Sequence, residues 1–138
     1  MTPESITAFL RSAMSSADTM GFVCTEVGDG TATVWWPYTD LWVRPGEYVS
    51  GPLIMTLADT ALYCAVFGAL DRIEPMAVTS ELSTSFLHPA VGTDVTARAT
   101  LLRFSGRAAY GEVRIYADSS PEILVAHTTG TYVIPAGP

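Results

Sequence analysis

An α+β fold, with a long helix laid against the concave face of an antiparallel sheet, is the architecture this 138-residue chain predicts. Three observations point there. The stretch SGPLIMTLADTALYCAVFGAL, residues 50–70, is apolar on every helical face. A strand-like hairpin precedes it, and about four long alternating runs follow it. A helix without a polar face has to be surrounded, and a sheet curling around it does this within a single domain of this length.

The elements follow in order. Residues 3–15 carry Ile6, Phe9, Leu10 and Met14 at three-to-four spacing, which predicts an amphipathic helix started by Thr2 and Pro3. Residues 19–38 read as a hairpin turning at Asp29-Gly30, because Asp-Gly is a strong tight-turn signal. Pro, Gly and mixed polarity make residues 38–50 a loop, in which Trp42 and Tyr48 either line a pocket or cover core. Ser50 can cap the long helix, and Pro52 is tolerated in its first turn. After residue 75, alternation places Val78, Ser80, Leu82, Thr84 and Phe86 on one face and Thr79, Glu81, Ser83 and Ser85 on the other. The remaining strands are separated by a turn at Ser105-Gly106 and another from Asp118 to Glu122, which holds two serines and a proline.

Composition narrows the function. The formal charge of −7, with all seven basic residues arginine, offers no basic face for nucleic acid. Hydrophobic content of 49% against 15% charged implies that apolar surface is buried between subunits. Cys24 and Cys64 lie far apart in sequence with no paired-cysteine motif and no clustered histidine, which predicts two buried thiols, no metal site and a reducing cytoplasm. The first 14 residues lack a basic start and a long apolar run, so no signal peptide is expected. Residues 51–70 are long enough to cross a bilayer. A central Asp costing about 2.5–3.5 kcal/mol on insertion scales, acidic flanks and the lack of a second such segment argue against it.

Residues 50–61 resemble the signature of the hotdog-fold acyl-CoA thioesterases of the phenylacetate-degradation type, H-G-G-x-x-x-x-L-x-D-x-A, which lies on their central helix. Here Gly51, Leu57, Asp59 and Ala61 are retained, while Ser50 stands for the histidine and Pro52 for the second glycine. Residues 79–118, with their F-L-x-P-A corner, resemble the family's sheet. The resemblance implies a curved antiparallel sheet of five to six strands around the long helix, with a further helix at the N-terminus. It implies a cytoplasmic enzyme acting on acyl-CoA as a homodimer, paired again into a homotetramer. Hydrolysis needs no cofactor, since CoA belongs to the substrate.

On this basis a thioester carbonyl sits at the N-terminus of the helix, where unpaired N–H groups and the dipole favour developing negative charge. The Gly51 amide polarises it; Pro52 has no N–H to add. Asp59 lies about 12 Å further along at the helical rise of 1.5 Å per residue, so it cannot serve the same carbonyl within one subunit. The family's solution is a dimer in which Asp59 faces the partner's helix start, and attacks the carbonyl or activates a water. The alternative for Asp59 is a buried, hydrogen-bonded structural acid.

Thr79 matches a family position whose hydroxyl orients the attacking water. Ser50 and Arg44 fall where they can reach the substrate, although a helix cap and a loop charge explain them equally. Tyr63, one turn after Asp59, shapes an acyl pocket or fills the core. Arg103 and Arg107 flank a turn, with Arg98 nearby, and can meet the CoA phosphates. His88 and His127 suggest nothing by themselves. The loss of the histidine and one glycine leaves room for a non-catalytic protein that binds acyl-CoA or another acyl ligand. A dehydratase of the same fold is disfavoured by the absence of a histidine near the helix start.

Overall fold

The computed structural model describes residues 1–136. The N-terminal helix α1 (Pro3–Ala13) opens with Thr2 and Ser5 capping one another's backbone and buries Ile6 and Leu10. It stops short of residue 15, and a second short helix follows that the sequence pattern does not announce. This α2 (Ser15–Met20) buries Ala17 and Met20 and ends at Gly21, whose φ of +75° stops it. Its six residues are too few to show helical periodicity, so residues 19 and 20 pass for the start of the hairpin. That hairpin starts later, as β1 (Val23–Gly28) and β2 (Thr31–Trp36). In its two-residue turn Gly30 takes the positive φ, +73°, that glycine adopts without strain.

The segment expected to be loop holds a 3₁₀ turn at Asp40–Trp42 and two short paired strands, β3 (Val43–Arg44) and β4 (Tyr48–Val49). The central helix α3 (Gly51–Leu70) follows, and twelve of its residues are buried. It is long and apolar enough to span a bilayer, yet most of it lies inside the fold. Four long strands then complete the sheet: β5 (Val78–Phe86), β6 (Val95–Ser105), β7 (Ala108–Ala117) and β8 (Ser120–Val133). All pairings are antiparallel, in the order β1-β2-β6-β7-β8-β5. The main sheet therefore has six strands, with α3 across its inner face.

One register detail corrects the alternation expected from the sequence. The β5–β8 ladder shifts between Thr79 and Glu81, leaving Ser80 as an extra, bulged residue. Thr79 pairs with Tyr132 and Leu82 with Gly130, and both lie on the helix-facing side. Val78, expected on the same face as Leu82, is turned away from α3 and is 57% exposed.

The helix presses on sheet backbone where side chains are missing. Gly111 and Gly130 are cross-strand partners on β7 and β8. A Cβ on either would crowd the fully buried Leu62, at 2.7 and 3.1 Å. Near its C-terminal end, Gly68 packs on the carbonyl of Gly28, which occupies the place a Cβ would take. Two expectations follow from this packing. Gly68→Ala, which in a free helix would gain about 1 kcal/mol, lowers stability here by about 2 kcal/mol because backbone cannot yield; denaturant unfolding reads the sign. Leu62→Ala empties the space above both sheet glycines and costs about 2–5 kcal/mol in the same assay.

Candidate active site

Asp59 sits midway along α3, at a half-buried position beside the edge strand β5. Its carboxylate is held by its own chain. Thr79 donates its hydroxyl to Oδ1 at 2.8 Å. The Tyr132 hydroxyl donates to the same oxygen at 2.7 Å and also lies 3.1 Å from the Asp59 main-chain carbonyl. Oδ2 makes no hydrogen bond to the described residues. The β5 bulge places Thr79 there: without the extra residue its hydroxyl would point to the opposite face. Tyr132 reaches in from β8, where it is 4% exposed. Burial, and then the Asp59 charge, push its phenol well above the ordinary tyrosine value, so it stays protonated.

The helix start is a separate place. Ser50 is the N-cap, its hydroxyl accepting the Leu53 N–H at 3.3 Å. As the first residue of α3, Gly51 has no helical partner for its N–H, which makes no hydrogen bond among the described residues. The Phe86 ring lies over it, 3.3 Å from where a Cβ would project. Around Gly51 runs a groove of about 360 Å³ lined by Val49, Ile54, Phe86, Leu87, His88 and Ala90 among others. That volume suits a small acyl group and is at the lower end for ligand sites.

His88 is a component that nothing in the sequence singles out. It lies on the rim of this groove, its Nδ1 paired with the Pro89 carbonyl at 2.9 Å. No spacing in the sequence pairs it with Gly51. The neighbourhood forms through the β5–β8 corner, where the Leu87 and His88 amides both donate to the Val125 carbonyl.

The other candidates are scattered over the fold. Tyr63 is a core residue and does not line the Gly51 groove. It donates its hydroxyl to the Pro75 carbonyl at 2.9 Å, stacks on Tyr132 at 5.6 Å and meets Phe67 and Phe9. Burial pushes its phenol up to about 12. Arg44 is exposed on β3, at the helix-start end, because β3–β4 lead directly into Ser50. Arg103 and Arg107 are exposed at the β6–β7 hairpin. Register puts that hairpin at the Asp59 end of the sheet: Ala109 pairs with Tyr132, and Tyr132 with Thr79. Arg98 is exposed on the outer face of β6, opposite Arg114. Cys24 and Cys64 are free and buried, as expected. Among the described residues no cluster of His, Cys, Asp or Glu could hold a metal ion.

The chain thus holds an anchored acid midway along α3 and, two turns away, an open helix N-terminus with an apolar groove, both near β5. Comparison with known proteins bears on what this arrangement belongs to. The model of the thioesterase superfamily matches residues 46–124, from the loop before the central helix into β8. No match was found among curated proteins. Among solved structures, a proposed thioesterase from Silicibacter sp. TM1040 superimposes with a TM-score of 0.86 at 28% identity, covering 99% of this chain and 93% of that one. The PaaI protein of the E. coli phenylacetic acid degradation operon gives 0.80 at 20% identity, over 98% and 94%. A Haemophilus influenzae thioesterase gives 0.84 at 19% identity, over 96% and 90%. The last two likenesses establish the fold, a hotdog sheet wrapped on its helix. With more than half of its residues inside the family pattern, the chain belongs to the thioesterase superfamily, a family of thioester hydrolases.

Proposed function

We propose that this protein is a cytoplasmic thioesterase that hydrolyses a small or aromatic acyl-CoA across a homodimer interface, two dimers forming a tetramer. The observation that carries this reading is Asp59: a half-buried carboxylate with one oxygen anchored and the other free, beside an unpaired sheet edge. That edge is rich in serine and threonine, with exposed apolar side chains at its two ends. Phe86 and Leu87 are 52% and 57% exposed at one end of β5, and Val78 is exposed at the other. Such an edge is a template for another strand. A second copy pairing there in antiparallel fashion brings each Asp59 toward the partner's Gly51.

The chemistry then follows in outline. The thioester carbonyl lies at the helix N-terminus and its oxygen accepts the Gly51 N–H. Asp59 from the facing subunit either takes a proton from an attacking water or attacks the carbonyl itself. The tetrahedral intermediate places negative charge on the oxygen that the amide and helix dipole stabilise. Collapse expels the CoA thiolate; on the route where Asp59 attacks, the acyl–Asp59 anhydride left behind is then cleaved by water, so that either route converts acyl-CoA plus water to carboxylic acid plus CoA. Arg103 and Arg107, at the Asp59 end, and Arg44, at the helix-start end, are the cations available to the CoA phosphates.

Two measurements test this. Thiol release from a panel of acyl-CoAs should be detectable for the wild type and fall by roughly 10²–10⁴ in Asp59→Asn, the usual contribution of a general base; unchanged rates would remove Asp59 from the chemistry. CoA binding without any turnover would instead identify a binding protein, the outcome that Ser50 and Pro52 at the family's His-Gly positions would then explain. Subunit mixing tests the shared site. Asp59→Asn and Gly51→Val, each inactive alone, should regain roughly a quarter of wild-type activity when unfolded and refolded together, because each mixed dimer contains one intact site. No recovery would confine the site to one chain.

A further inference from the structure

We infer that Tyr132 is a positioning residue for Asp59, which fixes the carboxylate so that Oδ2 is the oxygen that reacts. The inference rests on the reading of Asp59 as the reacting acid. Nothing in the helix motif names this tyrosine; it lies 73 residues away, on the last strand.

The geometry makes the case. A carboxylate oxygen offers about two lone-pair sites. Oδ1 has both taken, by the Tyr132 hydroxyl at 2.7 Å and the Thr79 hydroxyl at 2.8 Å. Two short bonds to one oxygen stop the carboxylate from exchanging its oxygens by rotation. Oδ2 is left without a partner among the described residues and is the oxygen able to meet a water or a carbonyl. Each hydroxyl has a single hydrogen, so Thr79 retains only acceptor capacity toward a water.

The two donors are not equivalent. Thr79 lies on the exposed edge strand, whereas Tyr132 is buried and its ring is clamped. It stacks on Tyr63 at 5.6 Å with the planes 25° apart, and Tyr63 is tied to the Pro75 carbonyl. Tyr63 therefore serves the site indirectly, as the wall against which Tyr132 is held. Burial and the Asp59 charge push the Tyr132 phenol well above the ordinary tyrosine value, so the hydroxyl keeps the hydrogen that it donates to Oδ1.

The test separates positioning from packing. Tyr132→Phe keeps the ring and its stack on Tyr63 and removes only the hydroxyl. With the best acyl-CoA of the panel, kcat should fall roughly tenfold, the scale of one hydrogen bond to a charged group, while KM stays within about twofold. Wild-type kcat in Tyr132→Phe, or a rise in KM with kcat unchanged, overturns the role. If Tyr132→Phe does not fold, 3-fluorotyrosine at position 132 keeps ring and hydroxyl while making a stronger donor. A change in kcat at constant KM then supports the inference, and an unchanged kcat overturns it. Asp59→Asn, run alongside, tells the two failures apart. Wild-type turnover in Asp59→Asn removes the functional reading and this role with it. Loss in Asp59→Asn beside full turnover in Tyr132→Phe removes the role of Tyr132 alone.

Discussion

A helix with no polar face sets the terms for the rest of this molecule. Residues 51–70 cannot lie on a surface, so the sheet has to bend around them, and the points of closest contact are where the sheet gives up side chains. Leu62 rests on the paired glycines of β7 and β8, and Gly68 meets the backbone of the β1–β2 turn. The short helices at the N-terminus finish the enclosure, with Ile6, Leu10, Ala17 and Met20 joining the same core. Burial of apolar surface is the driving term; the glycines determine how near helix and sheet can come.

That enclosure explains why one acid on the helix is both costly and useful. A carboxylate at Asp59 loses part of its hydration and must be given hydrogen bonds in exchange. The protein supplies two hydroxyls from the strands that meet beside it, β5 and β8. Both go to one oxygen, so a structural requirement, satisfying a half-buried charge, also orients the group. The same helix ends in an amide with no internal partner, next to an apolar groove. The two features lie two turns apart on one rigid element, too distant to cooperate within a chain, which is why the proposed reaction calls for a second copy at the β5 edge.

Family membership and site geometry answer different questions. The match over residues 46–124 places the chain among thioesterases, and superposition on solved structures places its backbone. Neither says how Asp59 is held. Tyr132, Thr79 and the Ser80 bulge do, and these come from this chain's own hydrogen bonds and register. Ser50 illustrates the reverse case. Its hydroxyl is spent on capping the helix, which accounts for a serine at that position on stability alone.

Much of the architecture is legible along the chain because it depends on local signals: the capped α1, the Asp-Gly turn, the apolar run of α3, and the long strands after it. The second helix escapes because six residues with two buried side chains carry no periodicity, and only Gly21 marks its end. Alternation puts Thr79 on the wrong face because it assumes an unbroken ladder, and a single bulged residue reverses every side chain beyond it. Tyr132 and His88 carry no signal, since pairing between β5 and β8 joins residues about 50 positions apart. The linear chain determined which segments are helix and strand and that one acid would lie within the apolar helix, since those follow from spacing and side-chain chemistry. Only the folded sheet decided what that acid touches, because register, bulges and strand order arise from contacts between segments that no local pattern encodes.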